Sequence, residues 1–104
     1  MLKVDNKVKE HLLFMNPGED NLNKTIVELL EHEYRRRVSH YENMDKTFRK
    51  KYKMTFEEFE EKNVVKEENF SWDVESDAMD WEQAIDGIKT MRNKLGELNA
   101  IKAR

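Results

Sequence analysis

Between Asp20 and Lys53 the chain runs for more than thirty residues without a glycine or a proline. Leu22, Ile26, Leu29, Leu30, Tyr34, Val38, Tyr41, Met44, Phe48 and Tyr52 recur through it at three- and four-residue steps. At about 100° per residue these positions form one broad stripe on a helix, and alternation of the kind a strand needs is absent. A helix over 20–53 is a rod roughly 45 Å long at about 1.5 Å per residue. Arg49, Lys50, Lys51 and Lys53 sit at its end, where cations complement the negative pole of the helix dipole. A rod of this length cannot bury its stripe on itself. A second long element must lie against it.

The sequence supplies one. Ser71 is placed to cap a helix, and Asp73, Glu75 and Asp77 suit its positive N-terminus. Val74, Ala78, Trp81, Ile85, Ile88, Arg92, Leu95 and Asn99 then step by four and three, a heptad seam with polar residues at Arg92 and Asn99. Trp72 and Met79 fall off that seam. Between the two rods, Thr55-Phe56-Glu57-Glu58 reads as a capping box, with Met54 and Phe59 as its hydrophobic staple, and predicts a short helix over 55–62. Residues 63–69 read as a break with a few extended residues. Residues 1–19 form a separate short element. Val4, Val8, Leu12 and Met15 favour a helix there, and Asn16-Pro17-Gly18 ends it. The expected fold is all-α, a single domain: two long helices (20–53 and 71–99) in an antiparallel hairpin, joined by a short helix.

Composition narrows the function classes. The chain has 104 residues, 39% charged and 38% hydrophobic, which allows one domain with a thin core. No cysteine excludes disulfides and thiolate metal sites and fits a reducing, cytoplasmic setting in a prokaryote. No apolar run approaches the roughly 20 residues of a membrane span, and MLKVDNKVKE lacks the apolar core of a signal peptide. The net charge of −3 hides a division. Residues 1–54 carry 12 Lys/Arg against 9 Asp/Glu, whereas residues 55–87 carry 12 Asp/Glu against Lys62 and Lys66 alone, a net of −10. A chain so divided can pair its halves or offer them to different partners.

Spacing bears on three chemistries. Asp73, Asp77 and Asp80 follow at steps of four and three, and Glu28 and Glu31 form an E-x-x-E pair, a pattern that a magnesium-dependent all-α nucleotide hydrolase would use. On the wheel, however, Glu28 lies opposite the apolar stripe, and the plainer reading is solvated carboxylates. His11, His32 and His40 lack the spacing of metal ligands on one helix, and the serines lack an activating motif. No catalytic residue, metal or cofactor is assigned. The basic band 35–53 suits phosphates, but the chain as a whole is acidic and no helix-turn-helix spacing is visible, so nucleic acid is the weaker expectation. Arg37 and Arg92 both fall on apolar stripes and call for partners. A hairpin closing near Tyr52 and Val74 would pair Arg92 with Glu33 and bring Arg37 near Asp86.

The residues left over point to binding. Trp72 and Met79 off the seam, with Asp73, Asp77 and Asp80 around them, make an acidic face with apolar anchors, the composition of a protein-binding surface. The thin core adds the expectation of a homo-oligomer. RRR-x-x-x-Y at 35–41, FRKKYKMTFEEF at 48–59 and SWDVESDAMDWE at 71–82 resemble a group of small, mostly uncharacterised prokaryotic proteins, over residues 31–95. That resemblance implies the antitoxin partner of a small TumE-type toxin, a protein that neutralises rather than catalyses. It lends no catalytic residues and leaves 1–19 outside the match.

Overall fold

The computed structural model describes residues 3–104, so the first two residues of the 1–19 element lie outside it. The described residues hold five helices and no strand: α1 (Asn6–Met15), α2 (Leu22–Tyr52), α3 (Phe56–Glu61), α4 (Val64–Glu67) and α5 (Trp72–Lys102). The all-α expectation is borne out. None of these helices is long and apolar enough to cross a membrane.

The helix ends follow the local chemistry. Asn21 caps α2 by accepting from the Asn23 N–H at 3.1 Å. At the other end Lys53 turns left-handed, with φ 55°, and stops it. Both halves of the capping box form at α3: the Thr55 Oγ1 accepts from the Glu58 N–H, and the Glu58 carboxylate accepts from the Thr55 N–H. Ser71 caps α5 by accepting from the Val74 N–H. Residues 64–67 are helical where an extended stretch was expected. Asn63 enters the left-handed region (φ 49°), which lets the chain turn and restart a helix at once, with Val64 and Val65 half-buried. Asn69 and Phe70 are left-handed in succession before α5 begins.

α2 and α5 pack along their lengths. Lys51 pairs with Asp77, Glu42 with Arg92 and Glu31 with Lys102, so partners descend along α2 as they ascend along α5. α1 lies on the first turns of α2, where Leu12 is buried and the Asn16 Nδ2 donates to Glu28 at 3.3 Å. The result is long and narrow, 58 × 27 × 25 Å, with a radius of gyration of 19.7 Å. A compact chain of this length would have about 13 Å.

The seam of α5 keeps its four-three spacing but in a different register from the expected one, through Asp77, Trp81, Ala84, Ile88, Met91, Leu95 and Leu98. Trp81, Ala84 and Leu98 are buried and Gly87, Met91 and Leu95 half-buried, while Arg92 and Asn99 are exposed. Trp81, Ile88 and Leu95 keep their expected inward places, whereas Arg92 and Asn99 give theirs up to the residues just before them, Met91 and Leu98. Arg92 therefore needs no buried partner.

At Gly87 the Tyr41 ring of α2 lies against the α5 backbone. A Cβ there would stand 2.5 Å from the Tyr41 ring, so the absent side chain is what admits the tyrosine. Gly96 on the same helix is exposed, with nothing within 4 Å of the same position. Glycine costs a helix interior about 1 kcal/mol relative to alanine, whereas overpacking costs typically 1–3 kcal/mol. Gly96→Ala is therefore expected to stabilise the fold by about 1 kcal/mol, and Gly87→Ala to forfeit that gain and end less stable than Gly96→Ala by about 1–3 kcal/mol. Urea unfolding of the two variants checks the difference in sign.

Candidate functional site

The corner where α2 hands over to α5 is built around one aromatic cluster. Trp81 has 0% of its surface exposed. Its ring stacks on Phe48 (5.5 Å between centroids) and Tyr52 (5.9 Å), and meets Phe56 (5.3 Å) and Phe59 (5.1 Å) at a tilt. Tyr52 in turn meets Phe59 edge-on at 4.9 Å. The short helix α3 thus plugs the end of the long pair with two phenylalanines. Burying a tryptophan removes roughly 150–250 Å² from water, on the order of 4–6 kcal/mol as an upper bound.

A buried indole N–H must find an acceptor, and here it finds a carboxylate. The Trp81 Nε1 donates to the Asp45 Oδ1 at 2.8 Å, and the Arg49 guanidinium forms an ion pair with the Asp45 Oδ2 at 3.0 Å. Sequence reasoning passed over Asp45. Its signal was the i, i+4 spacing to Arg49 beside an apolar stripe, which looks like any solvated helix pair.

Asp77, expected among partner-binding residues, faces inwards instead. It accepts from the Tyr52 hydroxyl at 2.6 Å and from the Lys51 ammonium. Partial burial alone would raise its carboxyl; the bonds from Lys51 and Tyr52 outweigh this and hold it below the usual 3.8. Tyr52 is pushed well above its usual 10.0, first by burial and then by the facing Asp77.

The other expected residues divide. Trp72 is 80% and Met79 71% exposed, seven residues and two turns apart on one outward stripe of α5. Asp73 and Asp80 are exposed on an adjoining flank. Two open grooves run beside Met79. One, of about 480 Å³, lies between α3, α4 and α5 and is lined by Phe56, Phe59, Val64, Val65, Phe70 and Met79, with Glu60 and Glu82 at its edge. The next, of about 490 Å³, follows α5 past Tyr41, Gly87 and Met91, with Glu82 and Asp86. They share Met79 and Glu82, so the apolar surface continues from one to the other.

The expected ion pairs need correction. Arg92 bonds Glu42 (3.1 Å), not Glu33. Helical side chains lean towards their own N-terminus. In oppositely running helices the two leans add, so Arg92 meets a residue more than two turns further along α2 than one judged level with it. Glu33 is taken by its own helix: Arg36 donates to it at 2.9 and 2.7 Å and Arg37 at 3.0 Å, and these hydrogen bonds, Arg36's first, lower its carboxyl to about 2. Arg37 is exposed and turned to Glu33 rather than Asp86, which is exposed on α5. Arg37 therefore does not lie on the buried stripe.

Nor does the E-x-x-E pair form a cation pocket. Glu28 is half-buried against Asn16, not in open water as its wheel position suggested, and Glu31 is held by Lys102 and Arg35. The three histidines are exposed. Among the described residues no group of three or more His, Asp or Glu side chains is arranged to hold a metal. Compared with protein-family models, curated proteins and solved structures, the chain matches none.

Two expected outcomes test this core. Asp45→Ala leaves the Trp81 N–H buried without an acceptor and should destabilise by about 1–3 kcal/mol. In a Trp81→Phe background, which has no N–H to satisfy, the same substitution should lose most of its effect, and a double-mutant cycle in urea measures this. The second is pH dependence. Asp77 has its folded pKa lowered, so its contribution is complete above the unfolded value and disappears as pH falls through the folded one. Tyr52 has its folded pKa raised, so its contribution is complete below about 10 and disappears as pH rises beyond it. Asp77→Asn should flatten the acid limb of a stability–pH profile, and Tyr52→Phe the alkaline limb.

Proposed function

We propose that this chain is a non-catalytic protein-binding module, the antitoxin-like member of a toxin–antitoxin pair, working in the cytoplasm. In this reading α2 and α5 form an antiparallel hairpin with the short helix at its corner. The hairpin acts as an oligomer and covers a basic protein partner with its acidic helical surface. The observation that carries the reading is the outward stripe of Trp72 and Met79, set in a segment of net charge −10. Water gains nothing from an exposed indole and thioether two turns apart. A partner that buries them gains apolar contact, and one that brings cations gains the field of the surrounding carboxylates.

The slender shape supports an oligomer, since five apolar residues alone are buried among those described, while Phe14, Met15, Phe70, Trp72 and Met79 stand out in solvent. The toxin-neutralising part comes from the resemblance of residues 31–95. The basic band favours no second reading: Arg35, Arg36 and Arg37 are bonded to Glu31 and Glu33 of their own helix rather than held ready for phosphates. A metal-dependent hydrolase has no supporting geometry in the E-x-x-E pair.

The test uses the purified chain and the purified product of the gene beside its own. A complex is expected at about 50 mM salt and should weaken markedly by about 500 mM, as screened charge requires. Trp72→Ala should speed dissociation by some thirtyfold, the effect of losing about 2 kcal/mol at an aromatic anchor. No complex at low salt overturns the toxin-neutralising reading.

A further inference from the structure

The acidic-rimmed grooves beside Met79 have a complement on the chain itself. α1 rests on α2 through Leu12 and leaves Phe14 80% exposed. Lys7 lies seven residues before Phe14, and at 3.6 residues per turn the two fall on one outward stripe of α1. Lys7 is almost wholly in solvent, with only a long contact to Glu10. So α1 presents an aromatic anchor with a cation two turns before it. The grooves present apolar walls, Phe70 and Met79 among them, edged by Glu60, Glu82 and Asp86. The two surfaces sit at opposite ends of a 58 Å rod, because α1 lies on the first turns of α2 and the grooves begin at the corner after its last turn. One chain therefore cannot bring its own α1 to its own groove.

We infer that α1 of a second copy docks along this groove, with Phe14 among Phe70 and Met79 and with Lys7 facing Glu82 and Asp86. Each copy carries both halves of the contact. Two rods lying side by side in opposite directions make it twice and leave neither half unused, a closed two-fold dimer rather than an open filament. The inference deepens the oligomeric part of the proposed function and rests on it. It also assigns a role to residues 1–19, which lie outside the resemblance. Because Met79 belongs to both surfaces, a foreign partner and a second copy would compete for it while Trp72 stays free.

Sedimentation equilibrium of the full chain tests this, since mass is the direct readout. The wild type is expected at twice the 12.6 kDa chain mass, with association weakened by salt. Phe14→Asp and Met79→Asp, both at exposed positions, should each return the monomer mass with unchanged circular dichroism. Lys7→Glu and Glu82→Lys should each weaken the dimer at least tenfold, and the two together should restore it. A dimer that survives Phe14→Asp and Met79→Asp overturns this interface and leaves oligomerisation standing. A wild type that is monomeric throughout removes both, and a mass growing without limit rejects the closed arrangement.

Discussion

One hydrogen bond allows this fold to bury Trp81, the one large side chain among the described residues that is wholly out of water. An indole in an apolar cluster gains from every ring around it but carries a donor that water no longer serves, and an unsatisfied donor would consume a good part of the gain. Asp45 answers it from α2. The carboxylate can itself be buried because Arg49, one turn on, takes its second oxygen. The bond joins residues 36 apart in sequence, so it also fixes which turn of α5 faces which turn of α2. With that registry set, Phe48, Tyr52, Phe56 and Phe59 close around the ring, and α3 has a place to sit.

The rest of the rod is held less tightly. Away from the corner the inner face of α5 narrows to Ala84, Gly87, Met91, Leu95 and Leu98, small or flexible side chains that allow close approach without adding much bulk. The cross-helix ion pairs Glu42–Arg92 and Glu31–Lys102 are solvent-exposed on at least one side, and such pairs contribute about 0–1 kcal/mol each. Opening should therefore begin at the end that carries α1 and the C-terminus of α5, and the aromatic corner should be the last unit to yield. The grooves beside Met79 are walled by that same corner, so the surface offered to a partner stands on the firmest part of the molecule.

Much of this was legible from spacing. A 3.6-residue stripe, an absence of breakers and two capping signals place α2, α3 and α5 within a few residues of their ends, because each is a local property of the chain. What failed depended on geometry that a residue list does not contain. The expected register put Arg92 and Asn99 on the seam; packing against α2 selects the residues just before them, Met91 and Leu98. Judging level positions paired Arg92 with Glu33; the lean of the side chains gives it Glu42. Asp45 was invisible because its importance comes from a tryptophan 36 residues away. Trp72 and Met79 were readable as off-seam apolar residues, whereas Asp77 was not readable as an inward one, since its partners Tyr52 and Lys51 come from the other rod.

The charge division has a consequence for any chain that docks on α5. The arginines of α2 are largely matched within their own helix, by Glu31, Glu33 and Asp45, and Lys51 alone of the basic band reaches across to the acidic segment, at Asp77. The field of residues 55–87 is thus left almost uncancelled, and it points outwards from Asp73, Asp80, Glu82 and Asp86. Such a field raises the rate of encounter with a cationic surface but is screened within about 8–10 Å at physiological salt, so it steers more than it holds. Residence is set by what is dehydrated on contact, and on this surface that means Trp72, Met79 and the apolar walls beside them. Discrimination between basic partners must then come from the shape that meets those side chains, because carboxylates in water attract any cation alike.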